Sequence, residues 1–210
     1  MVDIFFRSDD HLGHGNTFEK FKREDGITPL RPYTSIDEMN NDIITKHNAV
    51  VRPQDHVYFG GDVVINKKYL PLVKEMNGHK RLIMGNHDIF DIEMYLAAGF
   101  EKVMGYRVFV DKFIFSHIPL HTSNVTDRFH CNVHGHLHSN YINDPKYLCV
   151  CVEQTNYTPL HMDEVLDRIR RNEESFAQTG HIIDYRAPLL SARHEQEELE
   201  ALRNTGGAVG

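Results

Sequence analysis

Short apolar runs recur along the chain between polar loops, and most are too short to be helices. Ile4–Arg7, His56–Phe59, Arg81–Met84, Tyr106–Val110, Lys112–Phe115, Cys131–Val133 and Tyr147–Val152 read as buried strands, with Asp111-Lys112 as a hairpin turn. Helical spacing begins after Ser35, which forms a capping-box pattern with Glu38 and precedes Ile36, Met39, Ile43, Ile44 and His47 on one face. Lys67–Met76 is expected as a second helix, limited in regularity by Pro71, and Phe90–Ala98 as a third. Beyond Val152 the pattern becomes charged and helix-prone over Asp163–Gln178 and Leu189–Arg203, with Asp163 and Glu164 at the favourable N-terminal end of the first. Thr205–Gly210 reads as a frayed tail. Strands alternating with helices early, then a strand-rich middle, predict an α/β fold of mixed sheets covered by helices. One domain over 1–204 and a tail over 205–210 is the expected organisation.

The polar residues that end the apolar runs carry the chemistry. Ile4-Phe5-Phe6 leads into Ser8-Asp9-Asp10-His11, Val57-Tyr58-Phe59 into Gly60-Gly61-Asp62, and Leu82-Ile83-Met84 into Gly85-Asn86-His87-Asp88. Phe113-Ile114-Phe115 leads into Ser116-His117, and Asn132-Val133 into His134-Gly135-His136-Leu137-His138. Sites in open α/β sheets gather at the carboxyl ends of strands, and glycine there permits close backbone approach. Each block alone has a bland explanation: Asp9-x-His11 as a turn and cap, Asn86-His87-Asp88 as a helix cap, His117 as a satisfied core histidine. All five in order, each closing an apolar run, are not accounted for that way. Four imidazoles, two carboxylates and an amide form a donor set without thiolate, suited to Mn²⁺, Fe, Zn²⁺ or a related ion. Seven ligands exceed one ion's needs, whereas two ions sharing the Asp62 carboxylate use all of them.

Composition narrows the field. The formal net charge of −7 argues against a general nucleic-acid coat or an anionic-membrane binder, although two divalent cations would make the site locally positive. The N-terminal run is too short and too acidic for a signal peptide, and no apolar stretch reaches the ~20 residues of a membrane span. Cys131, Cys149 and Cys151 show no disulfide spacing, which suits a reducing cytoplasm. Cys149 and Cys151 alternate on one strand face and read as buried small side chains rather than metal ligands. Of fifteen histidines, six crowd into residues 117–138, inside the fold rather than in a terminal tag.

Taken together, the blocks resemble the calcineurin-like metallophosphoesterase superfamily, in particular its small stand-alone bacterial and phage members, over Asp9 to His138. The resemblance implies a sandwich of two mixed β-sheets flanked by α-helices. It implies that Asp9, His11, Asp62 and His138 hold one divalent ion and Asp62, Asn86, His117 and His136 a second, with manganese the expected metal and Fe, Zn²⁺ or Ni²⁺ as alternatives. It further implies attack by a metal-bridging hydroxide on a phosphoester, with His87 as general acid and Asp88 a candidate to orient it. Phosphoprotein phosphatases of the superfamily carry a longer Gly-Asp block and Gly-Asn-His-Glu, whereas Asp62 is followed here by Val63-Val64-Ile65-Asn66 and His87 by Asp88. A small phosphoester or nucleotide, diester before monoester, is therefore the expected substrate, with His14 and Arg128 as candidate contacts. A nucleotide phosphatase and a non-catalytic scaffold are the competing readings. No stable nucleic-acid partner is expected, and the charged C-terminal helices leave room for self-association.

Overall fold

A computed structural model describes residues 2–110, 112–126 and 129–186. Nine strands are described: β1 (Ile4–Arg7), β2 (His56–Phe59), β3 (His79–Ile83), β4 (Phe100–Met104), β5 (Tyr106–Phe109), β6 (Phe113–Ser116), β7 (Cys131–His134), β8 (Tyr147–Cys149) and β9 (Leu160–His161). The helices are α1 (Asn16–Glu19), α2 (Ile36–Val50), α3 (Ile92–Ala97) and α4 (Met162–Thr179). One sheet runs β4-β3-β2-β1-β9, the other β5-β6-β7-β8. Both are mixed. β1 to β4 pair in parallel and β9 joins antiparallel, while β6 to β8 are parallel and β5 antiparallel.

The period-two alternation of the strands builds two apolar layers. Phe6, Tyr58 and Ile83 from the first sheet face Phe113, Phe115, Val133 and Leu148 from the second, and Val165 and Ile169 of α4 close this layer. Phe6 lies edge-on to Phe113 and Phe115 at ring distances of 5.3 and 5.4 Å. Their neighbours Phe5, Val57, Phe59 and Leu82 point the other way, onto Met39, Ile43 and Ile44 of α2 and onto Val73 and Tyr95. The two-layer arrangement with flanking helices is the one expected.

Ser35 caps α2 as its sequence predicts, its side chain accepting from the Glu38 amide. Lys67–Glu75 is a 3₁₀ helix rather than an α-helix, as Pro71 inside it removes a backbone donor. Two strands escape the hydrophobic pattern. β4 is an edge strand with Glu101 and Lys102 exposed, and β9 is two residues long. The helix expected at Leu189–Arg203 and the 205–210 tail lie outside the described residues, as does Asp111 of the expected turn. Among the described residues no helix is long and apolar enough to cross a membrane.

Candidate metal centre

Parallel pairing of β1, β2 and β3 brings their C-terminal loops to one edge, where the loops after β6 and β7 join them. Backbone bonds zip the loops together: Asp9 N–H to Gly61 O at 3.0 Å, His11 N–H to Asp62 O at 3.0 Å, and Gly135 N–H to His117 O at 2.9 Å. Five of the seven predicted ligands adopt left-handed backbone, with φ of 61° at Asp9, 47° at His11, 54° at Asp62, 70° at His136 and 52° at His138. Non-glycine residues avoid this region at a cost of order 1 kcal/mol or more each, and such strain clusters at functional sites. Gly85 and Gly135 allow the loops to meet. A Cβ at Gly85 would lie 2.2 Å from Asp62 Oδ1, and one at Gly135 2.4 Å from Asp9 Oδ2.

The predicted ligands converge atom by atom. Asp9 Oδ1 lies 3.8 Å from His11 Nε2 and 3.9 Å from His138 Nε2. Asp62 Oδ2 lies 3.6 Å from His11 Nε2 and 3.5 Å from His117 Nε2, so a single oxygen faces both groups. His117 Nε2 is in turn 2.9 Å from Asn86 Oδ1 and 3.3 Å from His136 Nδ1. Asp9, His11 and His138, and Asp9, Asp62 and His117, each place donor atoms close enough to share an ion. Asp9 Oδ1 and both His11 nitrogens are buried without a hydrogen-bond partner. Buried polar atoms are ordinarily satisfied, and here a cation would complete them. The donors fit two divalent ions.

Around these atoms sits a supporting layer that sequence reading missed. Asp9 Oδ2 accepts from Ser8 Oγ at 2.6 Å, the His136 amide at 2.8 Å and the Cys151 thiol at 3.1 Å, which leaves Oδ1 as the free donor. The cysteine therefore does more than fill space. His138 Nδ1 meets Glu153 Oε1 at 3.2 Å, and Glu153 takes the Arg31 Nε at 2.8 Å. Arg31, wholly buried, also donates at 2.6 Å to each of the Asp9 and Asp10 carbonyls. His117 Nδ1 meets Gly60 O at 2.7 Å. The carbonyl and the carboxylate each take the Nδ1 proton, so Nε2 of both rings offers a lone pair to the centre. Burial opposes the Asp9 charge, but His11, His138 and His117 more than offset it and hold the carboxyl well below its usual range. Glu153 is likewise disfavoured by burial, yet Arg31 and His138 hold it at about 2. The His138 imidazole is pulled down by burial and, on balance, raised by Glu153.

His87 stands at the exposed rim, its ring 5.8 Å from that of His11. Its amide donates to Asp62 Oδ1 at 2.8 Å, which turns Oδ2 of that carboxylate towards the centre. Asp88 does not orient it. The Asp88 carboxylate accepts the amides of Asp62 at 2.7 Å, Val63 at 3.2 Å and Gly85 at 2.8 Å, tying two loops together. Nor does it cap α3, whose N-cap is Asp91. His14 lies beside the cluster, 5.6 Å from the His11 ring, with Nδ1 buried and unpartnered. Burial, assisted by His11, pushes its imidazole down to about 4. Arg128 lies outside the described residues.

Residues 13–202 match the model of the calcineurin-like phosphoesterases, and the chain belongs to that family. It is therefore a metal-dependent phosphoester hydrolase by class, and the family implies a dinuclear site for divalent cations. The match begins just past Asp9 and His11, whose place at the centre rests on the geometry above. An uncharacterised protein of Methanocaldococcus jannaschii, MJ1445, is 31% identical over 185 residues, covering 82% of this chain and 94% of its own length. The crystal structure of a protein of unknown function from Aquifex aeolicus, AQ665, shares the fold with a TM-score of 0.61 at 22% identity. It covers 79% of this chain and 98% of that one.

Proposed function

We propose that the chain hydrolyses phosphodiesters with two manganese ions, one held by Asp9, His11, Asp62 and His138, the other by Asp62, Asn86, His117 and His136. The observation that carries this reading is the set of orphaned donors, Asp9 Oδ1 and His11 Nε2, facing Asp62 Oδ2 and His138 Nε2. Two such ions, when bound, supply a water of lowered pKa and an electrophilic pull on phosphoryl oxygens. The rest falls to the chain. Asp62 is fixed by the His87 amide and its loop by Asp88, so the shared carboxylate is held ready. The exposed His87 imidazole makes no side-chain hydrogen bond among the described residues, and this leaves it available to protonate the departing oxygen. A diester is preferred because Arg31, the guanidinium bonded to the Asp9 carbonyl, is buried and committed to Glu153 and two carbonyls. Wholly buried, it does not face the second charge of a monoester. The three free, buried cysteines support a reducing, cytoplasmic location.

The test is metal stripping and reconstitution with Mn²⁺, followed by parallel assay of a diester, a monoester and a nucleotide. Diester turnover abolished by chelator is expected. Turnover of the monoester alone would replace the diester reading with a phosphatase, and inertness towards all three would leave a scaffold. His87→Ala should keep metal content and lower kcat by ~10²–10⁴-fold on poor leaving groups, less on good ones. A variant that lost an ion would make His87 a ligand instead.

A further inference from the structure

Between the β1 loop and α2 the chain makes a small arm, residues 21–30, which the proposed chemistry does not use. Its own bonds tie it together. Leu30 N–H donates to Phe21 O at 2.8 Å, Arg23 N–H to Thr28 O at 2.8 Å, and Lys22 bridges Pro29 antiparallel. At the tip Asp25 Oδ1 accepts the amides of Ile27 and Thr28, each at 2.8 Å, and Gly26 turns with φ of 67°. The arm is rooted in the metal centre, because Leu30 is followed by Arg31, whose guanidinium holds the Asp9 and Asp10 carbonyls. On its outer side Glu24 meets Arg186 at 3.7 Å, and Arg186 bonds the carbonyl of Ser139, next to His138.

Phe21 is the unusual residue on this arm. It is 46% exposed, yet its ring is held edge-on to His14 at 5.5 Å, and His14 lies 5.6 Å from the ligand His11. A half-bared aromatic thus stands two ring contacts from a proposed metal ligand. Lys20 and Lys22 flank it, both exposed and without an ion pair among the described residues. In a chain of net charge −7, this is a local combination of π-face and cation. Aromatic platforms interleaved with basic side chains bind bases by stacking and neighbouring phosphates by charge.

We propose, on the basis of the diesterase reading above, that Phe21, Lys20 and Lys22 form a subsite for a nucleotidyl substrate carrying a base and a phosphate besides the scissile one. Phe21 stacks the base and the lysines receive the non-scissile phosphate. A short single strand and a dinucleoside polyphosphate share this chemistry.

The Mn²⁺-loaded full chain should be assayed with pTpT, with TpT, with a dinucleoside tetraphosphate and with glycerophosphoethanolamine, a diester without a ring. Phe21→Ala should raise KM for pTpT about 5–100-fold, leave kcat and metal content alone, and spare the ring-free diester. Phe21→Trp should restore the KM. Lys20→Ala with Lys22→Ala should raise KM for pTpT but not TpT, and flatten its salt dependence. Whichever of pTpT and the tetraphosphate responds more to the lysine changes identifies the source of the extra phosphate. Equal losses on the ring-free diester, or a ring-free diester cleaved as well as pTpT, would overturn the subsite while leaving the diesterase intact. Failure of every diester would instead overturn the underlying activity.

Discussion

On the Asp9 side of Asp62 two of the proposed ligands, Asp9 and His138, are fixed by buried partners, whereas the His11 ring has no hydrogen-bond partner. Ser8 and Cys151 satisfy the idle oxygen of Asp9, while Arg31 and Glu153 fix the His138 ring. On the Asn86 side the supports are fewer and come from the backbone: the Gly60 carbonyl holds His117, and Asn86 itself is exposed. A ligand whose orientation is fixed by a second partner binds its metal more tightly. The first half is therefore expected to hold its ion more tightly, and the second to exchange its ion with the medium. Reconstitution with a limiting metal should fill the first half first, and chelation should empty the second first.

The largest expected effect comes from Asp62→Asn, because the proposed assignment places this carboxylate in both halves. Weakening its charge should lower the affinity for both ions together, by more than the ~10²-fold typical of a lost supporting partner. Metal analysis after dialysis measures it. A variant that kept one ion at full affinity would show that the halves do not share Asp62, and the comparison would lose its common member.

The two halves also differ in how far sequence alone reveals them. The residues proposed as ligands are legible because they follow apolar runs, and strand ends are where such residues can meet. The supports are not. Glu153 and Arg31 are 122 positions apart, and each looks like an ordinary loop residue until the fold joins them. Ser8 and Cys151 are small polar side chains that acquire a role only beside the free oxygen of Asp9. The same limit hides β4, whose exposed Glu101 and Lys102 break the hydrophobic pattern at a sheet edge, and β9, too short to carry a period. Asp88 shows the converse: adjacency to His87 suggests an orienting role, but its carboxylate takes two amides of the Asp62 loop and one of its own loop.

Next in size are Glu153→Gln and Asn86→Ala, one from each half. Glu153→Gln removes the charge that holds the Nδ1 proton of His138 and leaves the buried Arg31 without its counter-charge. It should weaken the first ion 10–100-fold and leave the second unchanged. Asn86→Ala should do the reverse, raising the Mn²⁺ concentration needed for activity while one ion per chain stays bound. Stepwise metal titration followed by calorimetry separates the two. If both variants weakened the same ion, the assignment of ligands to halves would be wrong.

The smallest effect reaches the first half from beneath. Arg7 bonds Asp10 through Nε at 2.9 Å and His47 Nδ1 through Nη1 at 3.0 Å, and His47 Nε2 meets Asn77 O at 2.9 Å. Arg7 can only donate, so Nδ1 must accept and the proton must sit on Nε2, facing the carbonyl. His47 is thereby required neutral, and burial, assisted by Arg7, holds its imidazole at about 3. The unfolded chain takes up this proton near pH 6.5 and the folded chain does not, so stability falls as pH drops from about 6.5 towards 3. The expected loss is about 1–2 kcal/mol near pH 5, and none at pH 8. His47→Gln removes the titrating group, so its denaturation midpoint should start lower and vary less over this window. At pH 8 the same variant loosens Arg7 and, through Asp10, the loop that carries Asp9. It should weaken the first ion a few-fold and spare the second. Equal weakening of both ions would show that this buried network stabilises the fold in general, with no particular bearing on the better supported half.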